Sequence, residues 1–166
     1  MATTASTVFG TSTAITITIA GLATSSTRLV GRNGTAVDIS GIATIPIDIL
    51  IGGQIMTGTG PTAGIIEVWA TGSEDGTNYA GGIATTDAGQ TVTAETKALL
   101  RLVASISTNT TANQAYIFAP VSLAAVFGGQ IPRKMNFFVT HSTVAALNAT
   151  GGNQFLKYTP VNYQSA

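Results

Sequence analysis

The side chains that could perform chemistry in this sequence are few and widely spaced. Cysteine is absent, so the chain offers neither a thiolate nucleophile nor a disulfide framework. His141 is the one histidine, and a catalytic triad would need a serine and an acid beside it in space. Ser142, its neighbour in sequence, would point to the opposite face of a strand. We therefore interpret His141 as a strand-end residue that bonds to backbone or water.

The acidic residues match no catalytic or metal-binding pattern. Glycoside hydrolysis needs two carboxylates that face each other across a cleft, whereas Glu74 and Asp75 are adjacent in a turn. With Asn78 they could form a calcium corner, but the spacing fits no calcium loop, so a plain turn is the prediction. Asp48 is predicted to be solvated or paired, with Arg101 or with an arginine of another subunit. No catalytic residue, metal ligand or cofactor is predicted, and we expect no enzyme.

The composition argues against several classes of partner. Charged residues make up 8% of the chain, against roughly 25% in an ordinary soluble domain. The formal net charge is zero, whereas nucleic-acid binding requires basic clusters. No apolar run reaches the roughly 18 residues of a membrane helix, and the first residues lack the pattern of a secretory signal. We expect no nucleic-acid or membrane partner, and a surface this poor in charge suits contact with other protein.

Strands are predicted wherever apolar and polar residues alternate. Around the single tryptophan, Ile66 and Val68 should face one side of a strand and Glu67 and Trp69 the other. The acidic, glycine-containing turn at residues 74–76 should then lead into a short aromatic return strand.

Three further segments carry specific expectations. Asn33-Gly34 is a strong signal for a two-residue hairpin turn. Residues 45–56 predict a long strand with Ile45, Ile47, Ile49 and Ile51 on one face and a bulge or bend at Gly52-Gly53. Residues 98–107 could be helix or strand, and the strands around them favour strand.

Residues 121–127 are the one helical segment predicted, with Ser122 as its N-cap. About eight to ten short strands separated by turn signals predict an all-β fold, an antiparallel β-sandwich of jelly-roll type. We expect an N-terminal arm at 1–12, a single β-sandwich domain at 13–161 and a C-terminal tail at 162–166.

Six residues are candidates for contact with a partner. Phe9 lies in the arm, which is either frayed or ordered on a neighbouring subunit. Trp69 is predicted to pack in a core or an interface, with sugar stacking as the less favoured interpretation. The full set is Phe9, Arg28, Arg32, Trp69, Arg133 and Lys134.

Two long stretches resemble small proteins of tailed bacteriophages and prophages that are encoded among virion structural genes. The stretches are IPIDILIGGQIMTGTGPTAGIIEVWATGSEDGTNYAGG and YIFAPVSLAAVFGGQIPRKMNFFVTHSTVAALNATGGNQFLKYTPV, and the resemblance extends over residues 13–161. It implies a head decoration or cement protein that binds the major capsid protein and forms homotrimers over junctions of the capsid lattice. It also implies synthesis in the host cytoplasm and a place on the capsid surface of the virion. No functional residues of the family can be assigned to positions in this chain.

Other classes of function stay open beside this one. A tail-fibre or receptor-binding module would share the β-sandwich and would bind a cell-surface glycan through an exposed aromatic groove. A tail-tube or head-completion protein would instead form rings. An enzyme such as a depolymerase is the least favoured class, because one histidine and scattered acids leave too little to build a site.

Overall fold

The structure, a computed structural model, describes residues 5–41 and 45–165. Within these ranges the chain forms eleven strands, two short α-helices and two single turns of 3₁₀ helix at Ala80–Gly82 and Gly151–Asn153. The strands are β1 Ala5–Phe9, β2 Thr13–Ile15, β3 Val30–Asn33, β4 Val37–Asp38, β5 Asp48–Met56, β6 Gly64–Ser73, β7 Ala88–Thr91, β8 Arg101–Thr108, β9 Ala115–Ser122, β10 Lys134–His141 and β11 Phe155–Ser165. The helices are α1 Ala94–Lys97 and α2 Leu123–Val126.

The strands form two antiparallel sheets, here called sheet A and sheet B. In sheet A the order is β1/β2–β11–β5–β9, where β1 and β2 follow each other along one edge of β11. In sheet B the order is β7–β3/β4–β10–β6–β8, where β3 and β4 lie in line along β10.

This strand order confirms the predicted jelly-roll sandwich. If β1/β2 and β3/β4 each count as one strand and the short β7 is set aside, the chain has eight strands in succession. The first, eighth, third and sixth form sheet A, and the second, seventh, fourth and fifth form sheet B. Two such four-stranded sheets, joined through Greek-key connections, define a jelly roll.

The main core lies between the sheets and is built by period-two alternation. Ile49 and Ile51 of β5 face Ile66 and Val68 of β6, and all four are fully buried in one cluster. Phe137 of β10 completes the centre of this cluster. The predicted inward face of the tryptophan strand is therefore confirmed.

A second, smaller core covers the outer face of sheet B. Its buried members are Tyr79, Ile83, Val92, Leu100 and Phe138, and Leu29, Ala36 and Trp69 pack against them. Four of the five buried members come from the segment between β6 and β8, which folds back over β10 and β6. The part of this segment from 83 to 97 contains the strand β7, contributes the buried side chains of Ile83 and Val92, and includes the helix α1, which the sequence did not predict.

The predicted helix near 121–127 is confirmed as α2. Ser122 caps it by accepting a 3.0 Å hydrogen bond from the backbone N–H of Ala125. Asp48 Oδ1 accepts a second bond of 2.8 Å from the N–H of Ala124. Asp48, for which the sequence suggested solvent or an arginine, is thus a partner of the helix N-terminus, where a carboxylate is favoured by the exposed N–H groups.

The hairpin predicted at Asn33-Gly34 is wrong. β3 and β4 do not pair with each other; both pair with β10, one after the other. Asn33 is fully buried, and its side-chain N–H groups donate to the carbonyls of Gly34, Ala84 and Thr86. The bonds to Ala84 and Thr86 attach β3 to the segment that covers sheet B, so the amide that the sequence pattern assigned to a surface turn is used inside the fold.

Two other strand predictions are corrected. The return strand after the 74–76 turn does not form, since β6 pairs only with β10 and β8 among the described strands. β5 begins at Asp48, and Ile45 and Ile47 are exposed rather than facing the core with Ile49. Pro46 has no N–H for a ladder, and the pairing of β5 with β11 starts only at Asp48.

The predicted bulge at the glycine pair and the predicted strand after residue 98 are both confirmed. The register between β5 and β9 shifts between Ile51 and Gly53. β8 runs from Arg101 to Thr108 and pairs with β6.

Candidate interaction surface

The outer face of sheet A is exposed, in contrast to the outer face of sheet B. Side chains that alternate with the core residues point outward here, among them Leu50 of β5 and Phe155 of β11. Ile117 of β9 is 75% exposed although it lies in the middle of a strand. We call this surface the open face; no segment of the described chain covers it as the second core covers sheet B.

A shallow apolar groove of about 280 Å³ runs along the open face. Leu50, Ile117, Pro120 and Phe155 are among its walls. Among the described residues that line it, Lys157 carries the one charge, and its Nζ lies 5.3 Å from the centroid of the Phe155 ring. The groove therefore fits an apolar partner surface better than a polar or ionic substrate.

Two glycines form the floor of the groove, and the chain requires glycine at one of them. A Cβ placed on Gly53 would lie 2.5 Å from the carbonyl oxygen of Phe155 and 2.7 Å from Cδ2 of Leu156. At Gly52 the nearest atoms, in Pro120, would be 3.7 Å away, which is an ordinary contact. Gly53 thus allows β5 and β11 to approach, whereas Gly52 leaves space in the groove.

β1 and the end of β11 form a two-stranded ribbon that continues the open face. Phe9 lies opposite Val161, and the pairing continues to Ala5 opposite Ser165. The pairing of β11 with β5 ends at Val161, so the ribbon extends beyond the rest of sheet A. Every residue of β1 is exposed. The segments predicted as arm and tail therefore pair with each other, while residues 1–4 and 166 of those segments lie outside the described residues.

Phe9 and Tyr163 are the large exposed side chains of this ribbon. Phe9 is 63% exposed and Tyr163 65% exposed. By alternation along β11, Tyr163 lies on the same face as Phe155 and Lys157. Phe9 shares that face, because it is directly opposite Val161 in the ladder.

Arg28 and Trp69 are brought together by Glu67 on the covered side of sheet B. The Glu67 carboxylate accepts three hydrogen bonds: one of 2.9 Å from Arg28 Nε, one of 2.6 Å from Lys97 Nζ and one of 3.0 Å from Trp69 Nε1. Lys97 also lies over the indole ring at 4.9 Å from its centroid. Arg28 adopts φ 54°, an uncommon conformation for a residue with a side chain, and its carbonyl accepts from Lys97 Nζ.

The pKa of Glu67 is below its ordinary value despite the burial of its carboxylate. Burial alone would raise the pKa, but the hydrogen bonds and charge of Lys97, with the bonds from Trp69 and Arg28, outweigh it. This cluster holds the loop before β3, the helix α1 and the sheet together. Trp69 is half-buried within this cluster, and Lys97 occupies one face of its indole ring.

Of the remaining predicted contact residues, Arg32 and Lys134 form ion pairs within the chain, and Arg133 is exposed. Arg32 donates through Nε to Asp87, and this pairing lowers the pKa of Asp87 against the opposing effect of its burial. Lys134 Nζ lies 3.4 Å from Asp38 Oδ2. Arg133 is exposed and forms no ion pair with the described part of the chain.

His141 is fully buried and bonded to the backbone. Its Nε2 donates to the carbonyl of Leu22 at 2.9 Å, and Nδ1 lies 2.9 Å from Thr143 Oγ1. Burial lowers the pKa of the imidazole, although bonding to the Leu22 and Ala23 backbone opposes this shift. The ring is therefore a neutral internal bridge between β10 and the loop before β3.

The turn at 74–76 is confirmed as turn chemistry. Asp75 Oδ1 accepts from the N–H groups of Thr77 and Asn78 and from Ser73 Oγ. Asn78 Nδ2 donates to Oδ2, and these bonds hold the pKa of Asp75 well below its usual range. Among the described residues, no group of three or more His, Cys, Asp or Glu side chains is placed to hold a metal ion.

The groove residues Leu50, Ile117 and Phe155 were not predicted from the sequence. One signal was present: Leu50 lies between Ile49 and Ile51, so both faces of that strand are apolar.

Comparisons with protein-family models, with curated proteins and with solved structures found no match for this chain. No helix in the described ranges is long and apolar enough to cross a membrane.

Proposed function

We propose that the chain is a non-enzymatic structural subunit of a bacteriophage virion that decorates and stabilises the assembled head. The open face carries this proposal: it is apolar, exposed and nearly free of charge in a fold whose other outer face is covered by its own chain. Contiguous exposed apolar surface on a soluble domain marks an interaction site. The phage context comes from the sequence resemblance.

The partner in this proposal is the major capsid protein, with further copies of the chain beside it. A cement protein stabilises by mass action, because it binds the assembled lattice and not the free subunits. The open face needs only an apolar counterpart of matching shape, and low charge avoids the cost of burying unpaired ions there. Arg133 is exposed and forms no ion pair among the described residues, so its charge is available for a contact with a partner.

The test is electron microscopy of purified particles that carry a tagged copy of this chain. Density spread over the capsid at lattice symmetry axes supports the proposal and gives the number of copies. Density confined to the tail tip would overturn it and favour the alternative, a receptor-binding module that recognises a glycan. For that module Trp69 offers only the part of its ring that Lys97 and the second core leave free.

A matched pair of variants makes the test specific to the open face. Ile117→Glu places a charge in the groove, and we expect it to lower occupancy on particles at least tenfold. Leu99→Glu is the control, because Leu99 is 59% exposed but lies between α1 and β8 on the other side of the sandwich. Equal occupancy of the two variants would remove the open face from the proposal.

A further inference from the structure

Within the described residues, the outer edge of β1 carries neither proline nor charge, and no other strand pairs with it. Protein edges are blunted by proline, by charge or by shortness. β9 contains Pro120, β8 begins with the exposed Arg101, and β7 has four residues. β1, by contrast, reads Ala-Ser-Thr-Val-Phe, five exposed residues without charge or proline.

The hydrogen-bond register shows which groups of β1 are directed outward. The N–H of Ile47 donates to the carbonyl of Val161 at 2.9 Å, so the polar groups of Val161 point toward β5. Gly10 directly follows β1, and its N–H donates to the carbonyl of Pro160 at 2.8 Å, so the polar groups of Gly10 point toward β11. In an antiparallel ladder bonded and non-bonded pairs alternate. The backbone groups of Phe9, and with it those of Thr7 and Ala5, therefore point away from β11.

We propose that β1 pairs antiparallel with β1 of a second copy about a two-fold axis at Thr7. In this register Thr7 faces Thr7 of the second copy, and Ala5 faces Phe9. All three residues are the ones whose N–H and C=O groups point outward, so each would exchange both bonds with its counterpart. A contact in which the same patch serves both copies closes on itself after two subunits.

The side chains of β1 suit this self-pairing. Each large residue meets a small one, Phe9 against Ala5 and Val8 against Ser6. Thr–Thr pairs across antiparallel strands are favourable, and no like charges meet. Tyr163 lies beside Thr7 on the same face of the ribbon, so the two Tyr163 side chains would flank the axis.

The pairing would join the two copies of sheet A into one continuous sheet. Phe9 and Tyr163 lie on the open face, so the open faces of the two copies would become one surface. This interface goes beyond the proposed function and does not depend on it, because it needs only the isolated chain. It makes pairs of subunits, whereas the phage resemblance implies trimers.

The test is a charge exchange at Thr7, read by sedimentation of the purified full chain. We expect the wild type to be a dimer and Thr7→Lys and Thr7→Glu each to be monomers, since equal charges would face each other at the axis. Mixing the two variants should restore the dimer, and salt should weaken this effect. Ile117→Lys and Ile117→Glu, on the far edge of sheet A, are the matched controls and should both stay dimeric.

Other outcomes overturn the pairing. A wild-type monomer, a trimer or a larger ring contradicts a closed two-fold edge. A wild-type dimer that the Thr7 substitutions leave intact, or that mixing fails to restore, contradicts the register centred on Thr7. Near-ultraviolet circular dichroism that matches the wild type shows that each variant is folded. Sedimentation of the isolated chain does not depend on attachment to phage heads, so failure of the dimer and failure of the proposed function are distinguishable.

Discussion

Lys97 Nζ lies 2.6 Å from Glu67 Oε2, and this contact attaches the helix α1 to the outer face of sheet B. Both side chains are largely buried, and Arg28 shares the same carboxylate. The one carboxylate thus connects two segments that are distant in sequence to the middle of β6. Sheet B is covered because this cluster and the second core hold the covering segment in place.

Replacing Glu67 by glutamine should destabilise the protein by about 2 kcal/mol. The amide keeps the size of the side chain but leaves Lys97 and Arg28 without their counter-charge in a partly buried site. Urea unfolding should show a lower midpoint with an unchanged slope. Glu74→Gln, in an exposed turn, is the control and should stay within about 0.5 kcal/mol of the wild type. Equal midpoints for the two variants would show that the cluster does not support the fold.

His141 should make stability depend on pH in the weakly acidic range. Burial lowers its pKa in the folded state, so the unfolded chain binds more protons at this site below about pH 6.5. Its contribution is therefore complete above about pH 6.5 and is lost as pH falls toward the lowered folded pKa. The free energy of unfolding should therefore decline as the pH falls below about 6.5.

His141→Gln is the comparison for this effect. Glutamine can still donate a hydrogen bond toward the Leu22 carbonyl but does not titrate. We expect lower stability at pH 7 and a smaller decline on acidification. If the variant and the wild type lose stability in parallel, the titrating group lies elsewhere.

The adjacent glycines of β5 should respond oppositely to alanine. Gly53→Ala forces a methyl group against the backbone oxygen of Phe155 and should cost about 1–3 kcal/mol. Gly52→Ala meets only ordinary contacts and should be neutral or slightly stabilising, since alanine loses less backbone entropy on folding. Thermal unfolding of the two variants measures the difference. Similar melting temperatures would contradict the close approach of β5 and β11 at Gly53.

Much of the local structure could be predicted from short-range patterns. The alternation around Ile66 and Val68 identified the inward face of β6, and Ser122 marked the start of α2. These predictions succeed because side-chain direction in a strand and capping at a helix end depend on neighbours within a few residues. The class of fold followed from many such strands with turns between them.

The predictions that failed depended on partners far away in sequence. Asn33 resembles a turn residue, but its amide bonds to carbonyls of the covering segment. Asp48 resembles a surface or ion-paired acid, yet it caps a helix that begins some 75 residues later. In each case a polar group that is fully or partly buried must be satisfied, and local sequence cannot show which distant group does so.

The sequence by itself determined the all-β class of the fold, the low content of charged residues, the single histidine and the absence of cysteine. Only the tertiary structure decided that one outer face is covered and the other is open, and that β1 pairs with the end of β11. The physical reason is that alternation assigns a residue to one face of its own strand. Whether that face is buried depends on which distant segment packs over it, and this is settled only when the whole chain has folded.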